Sequence, residues 1–329
     1  MMTRQKIVII GGAIMGSFTA WELRQGGFSG EIYVIEKDPT YRYCSTARSA
    51  ASIRTQFGTP INIHMSLYGV DFFRRIKKIF GPSADIGYVE NGYLILGNRD
   101  SIKRREEAVI MQRAEGADII ALTPNEVRAR FPFMEIDDIG IGTFGASGEG
   151  WFDAWSLLSL VRSGAKSNDV AYVTDEVIGF DVFGSSIQAV RLAQGASVSC
   201  DTCVMAAGPM SGALMAKLNQ LLPVTPRKRS VFNFRAPLKV HHFPMLFDSS
   251  GIWIRPEGNG YIGGIQPPPD KDFDATGDFE PHHDFMEDPF WPALAARIPA
   301  MESLRLERSW AGHYEVNALD HNGIVGRHD

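Results

Sequence analysis

The feature that most constrains this chain is a glycine-rich turn between a short apolar run and a helix-forming stretch. Lys6–Ile10 is almost wholly apolar and β-branched, which is typical of a parallel strand buried on both faces. The turn, Gly11–Gly16, follows at once, and helix-forming sequence continues to Arg24. Glu31–Ile35 then predicts a second strand, closed by Glu36. The chain therefore opens as a β-α-β unit that carries a dinucleotide-binding fingerprint.

Each position of this turn has a physical task. Gly11 permits the tight turn, Ala13 stands where a phosphate approaches the backbone, and Gly16 lets the helix pack against the strand. The helix N-terminus offers unpaired N–H groups and partial positive charge to a pyrophosphate. Glu36 can accept hydrogen bonds from ribose hydroxyls. A glycine-rich turn in an ordinary α/β protein is the alternative. The predicted nucleotide-binding residues here are Gly11, Gly12, Ala13, Ile14, Met15, Gly16 and Glu36.

The segment after the second strand argues against an NAD-binding domain, which would continue with further β-α units. Residues 43–58 are instead polar and small, and strand-like runs resume only at 170–173, 176–182 and 202–208. Small residues let backbone lie against a flat ring or a phosphate. The sequence therefore lacks the further β-α unit that an NAD-dependent dehydrogenase would need.

Several motifs follow one another in order along nearly the whole chain. They are Gly11–Gly16 with Glu36, Ser45–Phe57, Trp151–Asp153, Val204–Gly208, Ile252–Pro256 and Trp310–Glu315. In this order they resemble the FAD-dependent amine oxidoreductases that include D-amino-acid oxidase, glycine oxidase, sarcosine oxidase and dimethylglycine dehydrogenase. The ordered set is far more specific than any one of its members.

The resemblance implies how FAD would be held. Glu36 would hold the adenosine ribose, and the backbone of Val177 would meet the adenine. The other implied contacts, from the phosphates to the flavin, are Lys37, Ser45, Thr46, Ala50, Ala51, Ser52, Ile53, Ala206, Ala207 and Gly208. Some relatives attach flavin covalently through Cys or His. Gly312 stands at that Cys position and residues 45–57 contain no His, so we expect noncovalent FAD.

The resemblance also implies an α/β fold, in which a Rossmann-like FAD-binding domain of the glutathione-reductase type is interleaved with an antiparallel-sheet substrate domain. The FAD-binding domain would take residues 1–85, 145–225 and 305–329, and the substrate domain 86–144 and 226–304. Strand-like runs between 230 and 264, separated by turn residues, fit the antiparallel sheet. Relatives continue beyond a segment like 320–326 with one more strand and a helix. We therefore expect the C-terminal element of the family fold to be missing.

In flavin enzymes the cofactor carries the redox step, and the protein supplies binding and orientation. Arg54 falls where sarcosine-oxidase-like members place a carboxylate-binding arginine, and its planar fork suits bidentate binding. Arg255 is a second candidate; for both, pairing with structural groups is the alternative. His313 and Tyr314 occupy the position of the glycine-oxidase-like arginine and could hydrogen-bond substrate or flavin. A structural histidine is the alternative for His313, which could otherwise act as a base.

Composition excludes several other classes of function. The 329 residues carry 33 Lys+Arg and 38 Asp+Glu, a net charge of −5, which argues against nucleic acid or an anionic membrane as partner. No apolar stretch is long enough to predict a membrane span. Three cysteines cannot build a disulfide framework, so we expect a cytoplasmic protein. The histidine pairs lack a convincing third ligand, so no metal is predicted.

The sequence thus predicts an enzyme that oxidises a small amine or amino acid by hydride transfer to flavin, after which the imine product hydrolyses in water. The electron acceptor and the oligomeric state stay open. The alternative is a noncatalytic flavin-fold protein, either an assembly factor or a remnant of an enzyme. The expected loss of the C-terminal element favours this alternative, whereas the intact fingerprint favours the enzyme.

Overall fold

The computed structural model describes residues 5–328 as an α/β fold, which confirms the predicted fold class. Residues 1–4 and 329, which the predicted FAD-binding domain includes, lie outside the described part. The helices are α1 Ile14–Gln25, α2 Ser45–Arg48, α3 Pro60–Arg74, α4 Ile76–Phe80, α5 Ile102–Ala114, α6 Pro124–Arg130, α7 Ala154–Ser167, α8 Ser211–Ala216 and α9 Trp291–Arg297. Within the described residues, no helix combines the length and the apolar character that crossing a membrane requires.

The strands form one parallel sheet and several sheets with antiparallel pairing. They are β1 Lys6–Ile10, β2 Glu31–Glu36, β3 Ser52–Ile53, β4 Tyr93–Gly97, β5 Ile119–Leu122, β6 Ile141–Gly145, β7 Gly150–Trp151, β8 Val170–Thr174, β9 Val177–Phe183, β10 Ser186–Leu192, β11 Ser197–Ser199, β12 Thr202–Met205, β13 Val224–Arg235, β14 Met245–Phe247, β15 Ile252–Glu257, β16 Gly260–Ile265 and β17 Arg305–Asn317.

The parallel sheet has the order β12-β1-β2-β8. Alternate residues of β1 face opposite sides of it because side chains alternate along a strand. Ile7 and Ile9 pack in a cluster with Trp21 of α1 and residues of α7. Val8 packs instead with residues of β9 and β10, which form a three-stranded sheet with β11 on the other face. Both faces are therefore covered, which is why β1 reads as a continuous apolar run.

The larger sheet has the order β17-β13-β16-β15-β14-β4-β6-β5 and is antiparallel except where β14 pairs with β4. Its core packs aromatic and aliphatic residues such as Phe232, Phe234 and Phe290. The strands expected between 230 and 264 are present in it as β13–β16. Strand β17 pairs along β13 in this sheet, although the sequence grouped 305–329 with the FAD-binding domain. The domain boundaries as a whole stay a prediction.

Candidate functional site

A cavity of about 3450 Å³ runs along the carboxyl ends of the parallel strands and reaches the larger sheet. Its lining includes the residues that directly follow β1, β8 and β12 together with the end of β2. Ligands of open α/β sheets bind in the crevice outside the carboxyl ends of the strands. The cavity therefore lies where the fold provides a nucleotide site.

The glycine-rich turn has the backbone geometry that its sequence predicts. Gly11 has φ +98°, which favours glycine, and a Cβ there would collide with the carbonyl oxygen of Ala206. A Cβ at Gly16 would collide with the Gly11 carbonyl, so helix α1 can lie this close only with glycine. Ala13 caps α1 without a side-chain hydrogen bond, and the first turn holds no acidic residue. The Ile14 N–H donates to the Oγ1 of Thr46 (3.3 Å), whereas no side chain among the described residues accepts from the N–H groups of Ala13, Met15 or Gly16, which can therefore meet an anion.

Glu36 sits beside this turn at the end of β2 and lines the cavity. Its Oε2 accepts a hydrogen bond from the Gly12 N–H (2.8 Å), and its Oε1 accepts one from the Asp38 N–H (2.9 Å). A carboxylate has about four acceptor sites, so two are left over. The structure thus orients Glu36 without using up its hydrogen-bonding capacity.

Ser45 and Thr46 begin the short helix α2, which contacts the glycine-rich turn and lines the cavity. The Oγ of Ser45 is buried and has no hydrogen-bond partner among the described residues. The Oγ1 of Thr46 accepts from the Ile14 N–H of α1 (3.3 Å), which leaves its own proton to donate. A buried hydroxyl without a partner costs free energy unless a ligand supplies one. Both hydroxyls therefore fit the phosphate contacts that the sequence analysis expected.

The segment expected near the flavin lies between this helix and the larger sheet. Ala50, Ser52 and Ile53 line the cavity, whereas Ala51 lies behind its surface. Ala51 has φ +48°, an unfavourable conformation for a residue with a side chain, and its carbonyl accepts from the Phe152 N–H (2.9 Å). The strained turn exposes small side chains to the cavity and keeps this carbonyl turned away.

Arg54 follows this segment and lines the cavity. The Cζ of its guanidinium lies 4.6 Å from the ring centre of Phe57 and 5.9 Å from that of Tyr93. Among residues 5–328, no carboxylate pairs with Arg54. Its positive charge is held by the faces of two aromatic rings and stays available to an anion.

Sequence reasoning missed Phe57 and Tyr93 as site residues. Tyr93 is only 2% exposed, stacks on Phe247 with ring centres 5.4 Å apart, and also lines the cavity. Burial raises the pKa of Tyr93 to about 12, although the charge of Arg54 opposes this shift. Its hydroxyl is therefore neutral at physiological pH. A tyrosine opening an apolar strand looks like a core residue, so the sequence carried no signal for this role.

His313 and Tyr314 are neighbours on β17 and both line the cavity. The Nε2 of His313 lies 2.8 Å from the carbonyl oxygen of Asp278, and its ring stacks on Phe279 with centres 4.1 Å apart. A carbonyl only accepts, so Nε2 carries the proton and donates. Tyr314 is 56% exposed and lies near Arg229. The structure thus commits one histidine nitrogen to holding the segment around Asp278.

Arg255 lies outside the cavity lining and is only 4% exposed. Its Nε donates to the carbonyl of Ala50 (2.9 Å), and its Nη1 donates to the Pro256 carbonyl (2.8 Å) and the Glu257 carboxylate. All these partners are internal. This placement does not support the substrate contact that the sequence suggested. The Arg255 guanidinium bonds instead to the backbone of the segment expected near the flavin.

The remaining predicted residues either line the cavity or lie behind its surface. Those that line the cavity besides the ones above are Ala13, Ile14, Met15, Lys37, Val177, Ala206, Ala207 and Gly208. Gly12 and Gly16, like Ala51, lie behind its surface. The ammonium of Lys37 is 3.4 Å from the carboxylate of Glu176, at the end of the cavity formed by β2 and β8. Within the described residues, no group of His, Cys, Asp and Glu is arranged to hold a metal ion.

Residues 6–329 match the DAO family, described as FAD dependent oxidoreductase. The chain belongs to this family. FAD-dependent oxidoreductase domain-containing protein 1 of Xenopus laevis is 34% identical over 366 residues, covering 99% of this chain and 73% of that protein. Sarcosine dehydrogenase, mitochondrial, of Homo sapiens is 23% identical over 274 residues, covering 80% of this chain and 29% of that protein.

Several solved structures share the fold of this chain. L-proline dehydrogenase from P. horikoshii has a TM-score of 0.85 at 24% identity, covering 99% of this chain and 85% of that chain. Glycine oxidase from Bacillus cereus has a TM-score of 0.78 at 20% identity, covering 95% of this chain and 83% of that chain. At these identities the likeness shows the fold alone.

The cofactor of this DAO-family chain is FAD, as the sequence predicted. The geometry of the site also fits FAD. The accessible amides of α1 suit the pyrophosphate, as does the unpartnered hydroxyl of Ser45, and the spare acceptor sites of Glu36 suit ribose hydroxyls. The individual contacts stay predictions.

Proposed function

We propose that this chain oxidises a small amino acid, or another amine that carries a carboxylate, by hydride transfer to FAD, and that the imine product hydrolyses in water. The observation that carries the proposal is the Arg54 guanidinium, which lines the cavity beyond the flavin-proximal segment without an internal carboxylate partner. The names of the structural neighbours, a glycine oxidase and an L-proline dehydrogenase, support a substrate of the amino-acid class.

When bound, FAD supplies the redox chemistry by accepting the hydride. The residues of this chain bind and orient. Arg54 binds the substrate carboxylate with its two-pronged fork, which fixes the direction of the α-carbon. Phe57, Tyr93 and Phe247 form an apolar wall around it that limits access of water. We assign no general base. The amine is oxidised in its neutral form, and its ammonium proton passes to solvent before the hydride leaves. The Nε2 of His313 donates to the Asp278 carbonyl and so does not take that proton.

The test is flavin bleaching in the absence of oxygen, measured with matched amines that carry or lack a carboxylate. Arg54→Ala should cost about 2–5 kcal/mol in the reduction of carboxylated amines, the range for truncating one partner of a buried charge pair. Arg54→Lys should cost nearly as much, because lysine lacks the planar fork. Amines without a carboxylate should be little affected, and FAD content should stay normal.

Arg42→Ala is the matched control, since Arg42 also lines the cavity and also lies over a ring, that of Tyr43, at 5.3 Å. It should leave the preference for carboxylated amines unchanged. If Arg54→Ala slows both kinds of substrate equally, or simply loses FAD, the arginine is structural or binds the cofactor. If no amine in the panel bleaches the flavin in the wild-type protein, the noncatalytic alternative replaces this proposal.

A further inference from the structure

A fully buried carboxylate lies directly behind the Arg54 segment. Glu149 is 0% exposed and lies just before β7, outside the lining of the cavity. Its Oε1 accepts from the N–H of Thr55 (2.5 Å), the hydroxyl of Thr55 (2.8 Å) and the N–H of Gln56 (3.1 Å). Its Oε2 accepts from the Nε2 of Gln56 (2.8 Å). All four donors belong to the two residues that follow Arg54.

The surrounding fold is shaped to hold this carboxylate. A Cβ at Gly145, the last residue of β6, would collide with the Oε2 of Glu149, so the position admits only glycine while Glu149 keeps its place. The Nε2 of Gln56 also donates to the carbonyl of Tyr93 (2.9 Å). Glu149 is thus linked both to the backbone after Arg54 and to the strand that carries one of the rings beneath its guanidinium.

No cation pairs with Glu149 among the described residues, so hydrogen bonds take the place of an ion pair. An ionised carboxylate only accepts, and four donors converge on it. Burial raises the pKa of Glu149, and the hydrogen bonds from Gln56 and Thr55 oppose that rise. A fully buried charge is costly to a fold. Glu149 does not line the cavity and so cannot contact a ligand there. The effect of its hydrogen bonds is to fix the positions of Thr55 and Gln56.

We propose that Glu149 is a positioning residue for substrate recognition, which fixes Thr55 and Gln56 so that the Arg54 guanidinium stays on its two rings and faces the cavity. This inference rests on the proposed role of Arg54 as the carboxylate clamp. Glu149→Gln keeps the size of the side chain but turns an NH₂ group toward donors, so at least one of the four hydrogen bonds is lost. The guanidinium then loses its fixed position.

The experiment measures binding of benzoate and acetate to the FAD-loaded protein from the change in flavin absorbance, without turnover. Glu149→Gln should raise the Kd of both carboxylates about 10- to 100-fold, because misplacing a binding group by about 1 Å can cost up to about 100-fold. The KM for a carboxylated amine should rise accordingly, while the limiting rate changes much less and amines without a carboxylate keep their KM. A merely structural role would lower thermal stability without this selectivity.

Thr55→Val supplies a milder variant, since it removes only the hydroxyl donor and should weaken benzoate a few-fold. Glu90→Gln is the control: the Glu90 side chain is 29% exposed, pairs with Arg74 and accepts from the Gly148 N–H (2.7 Å), next to Glu149, but it bonds to neither Thr55 nor Gln56. It should leave benzoate binding unchanged.

The outcomes separate the two proposals. If Arg54→Ala weakens benzoate but Glu149→Gln and Thr55→Val do not, the positioning role fails and the clamp stands. If Arg54→Ala has no effect on benzoate binding, Arg54 is not the carboxylate clamp, and the positioning role proposed for Glu149 is wrong as well. Weakening by all three variants, with Glu90→Gln silent, supports the inference even if no tested amine reduces the flavin.

Discussion

Replacing Glu36 separates two roles that the structure combines in one carboxylate. Two of its acceptor sites take the N–H groups of Gly12 and Asp38, at 2.8 and 2.9 Å, and about two remain open toward the cavity. Glu36→Ala should therefore weaken FAD binding through the open sites and destabilise the flavin-free protein through the occupied ones.

The two magnitudes follow from the count of hydrogen bonds. A hydrogen bond to a charged acceptor contributes about 1.5 kcal/mol at the lower end of its range. Two lost ribose contacts to Glu36 then amount to about 3 kcal/mol, which is roughly a 100-fold increase in the Kd for FAD. The amides of Gly12 and Asp38 lose their partner but are only partly buried, so water replaces it in part. We expect about 1–2 kcal/mol less free energy of unfolding in the flavin-free protein.

The assay is a fluorescence titration of flavin-free protein with FAD, with urea unfolding of the same sample. Glu31→Ala is the control, because Glu31 lies on the same strand, pairs with Lys6 at 3.4 Å and does not line the cavity. It should leave the Kd for FAD unchanged. Lower stability of Glu36→Ala with unchanged FAD affinity would show that the carboxylate only holds the turn, and would refute the ribose assignment.

Two further predictions concern the cofactor linkage and acid stability. FAD should be released into the supernatant on acid precipitation, because Gly312 cannot form a thioether; yellow colour left in the pellet would contradict this. A hydrogen bond from Arg297 lowers the pKa of Asp138 below its ordinary 3.8, so the unfolded chain binds more protons than the folded one below that pH. The free energy of unfolding should therefore fall as the pH drops through this window, and Asp138→Asn should show a smaller fall in urea melts; an identical pH dependence would assign the acid sensitivity to other groups.

The parts of the site that sequence could predict are local ones. Residues 6–36 form one continuous unit of strand, turn, helix and second strand. Its residue types indicate the backbone conformation that each position requires. Gly11 and Gly16 are glycines because any Cβ there would meet backbone carbonyls. The apolar runs at β8 and β12 likewise predict strands, and both pair in parallel at the two edges of the sheet.

The parts that sequence could not predict depend on contacts between distant segments. Glu149 bonds to Thr55 across 94 positions of the chain, and Arg255 bonds to Ala50 across 205. An arginine within a strand followed by proline has the same sequence signature whether its guanidinium meets a substrate or a carbonyl. Only the packing of the larger sheet against the flavin-proximal segment decides which partner Arg255 finds.

That packing explains why a segment assigned to nucleotide binding depends on the rest of the fold. The carbonyl of Arg48 accepts from the Trp310 indole (3.1 Å), that of Ala50 from Arg255 (2.9 Å), and that of Ala51 from the Phe152 N–H (2.9 Å). Three separate regions of the chain thus hold three carbonyls within four residues.

The three donor residues, Trp310, Arg255 and Phe152, all lie outside the cavity lining. The three carbonyls therefore have protein donors and need none from a ligand. The electron-rich edge of a flavin would be repelled by free carbonyls but can approach small side chains and amides. The donors come from β15 and β17 of the larger sheet and from the residue after β7. Together they fix the conformation of the segment that is predicted to bind the cofactor. The strained φ of Ala51 persists because Phe152, Arg255 and the β3–β7 pairing over-determine it.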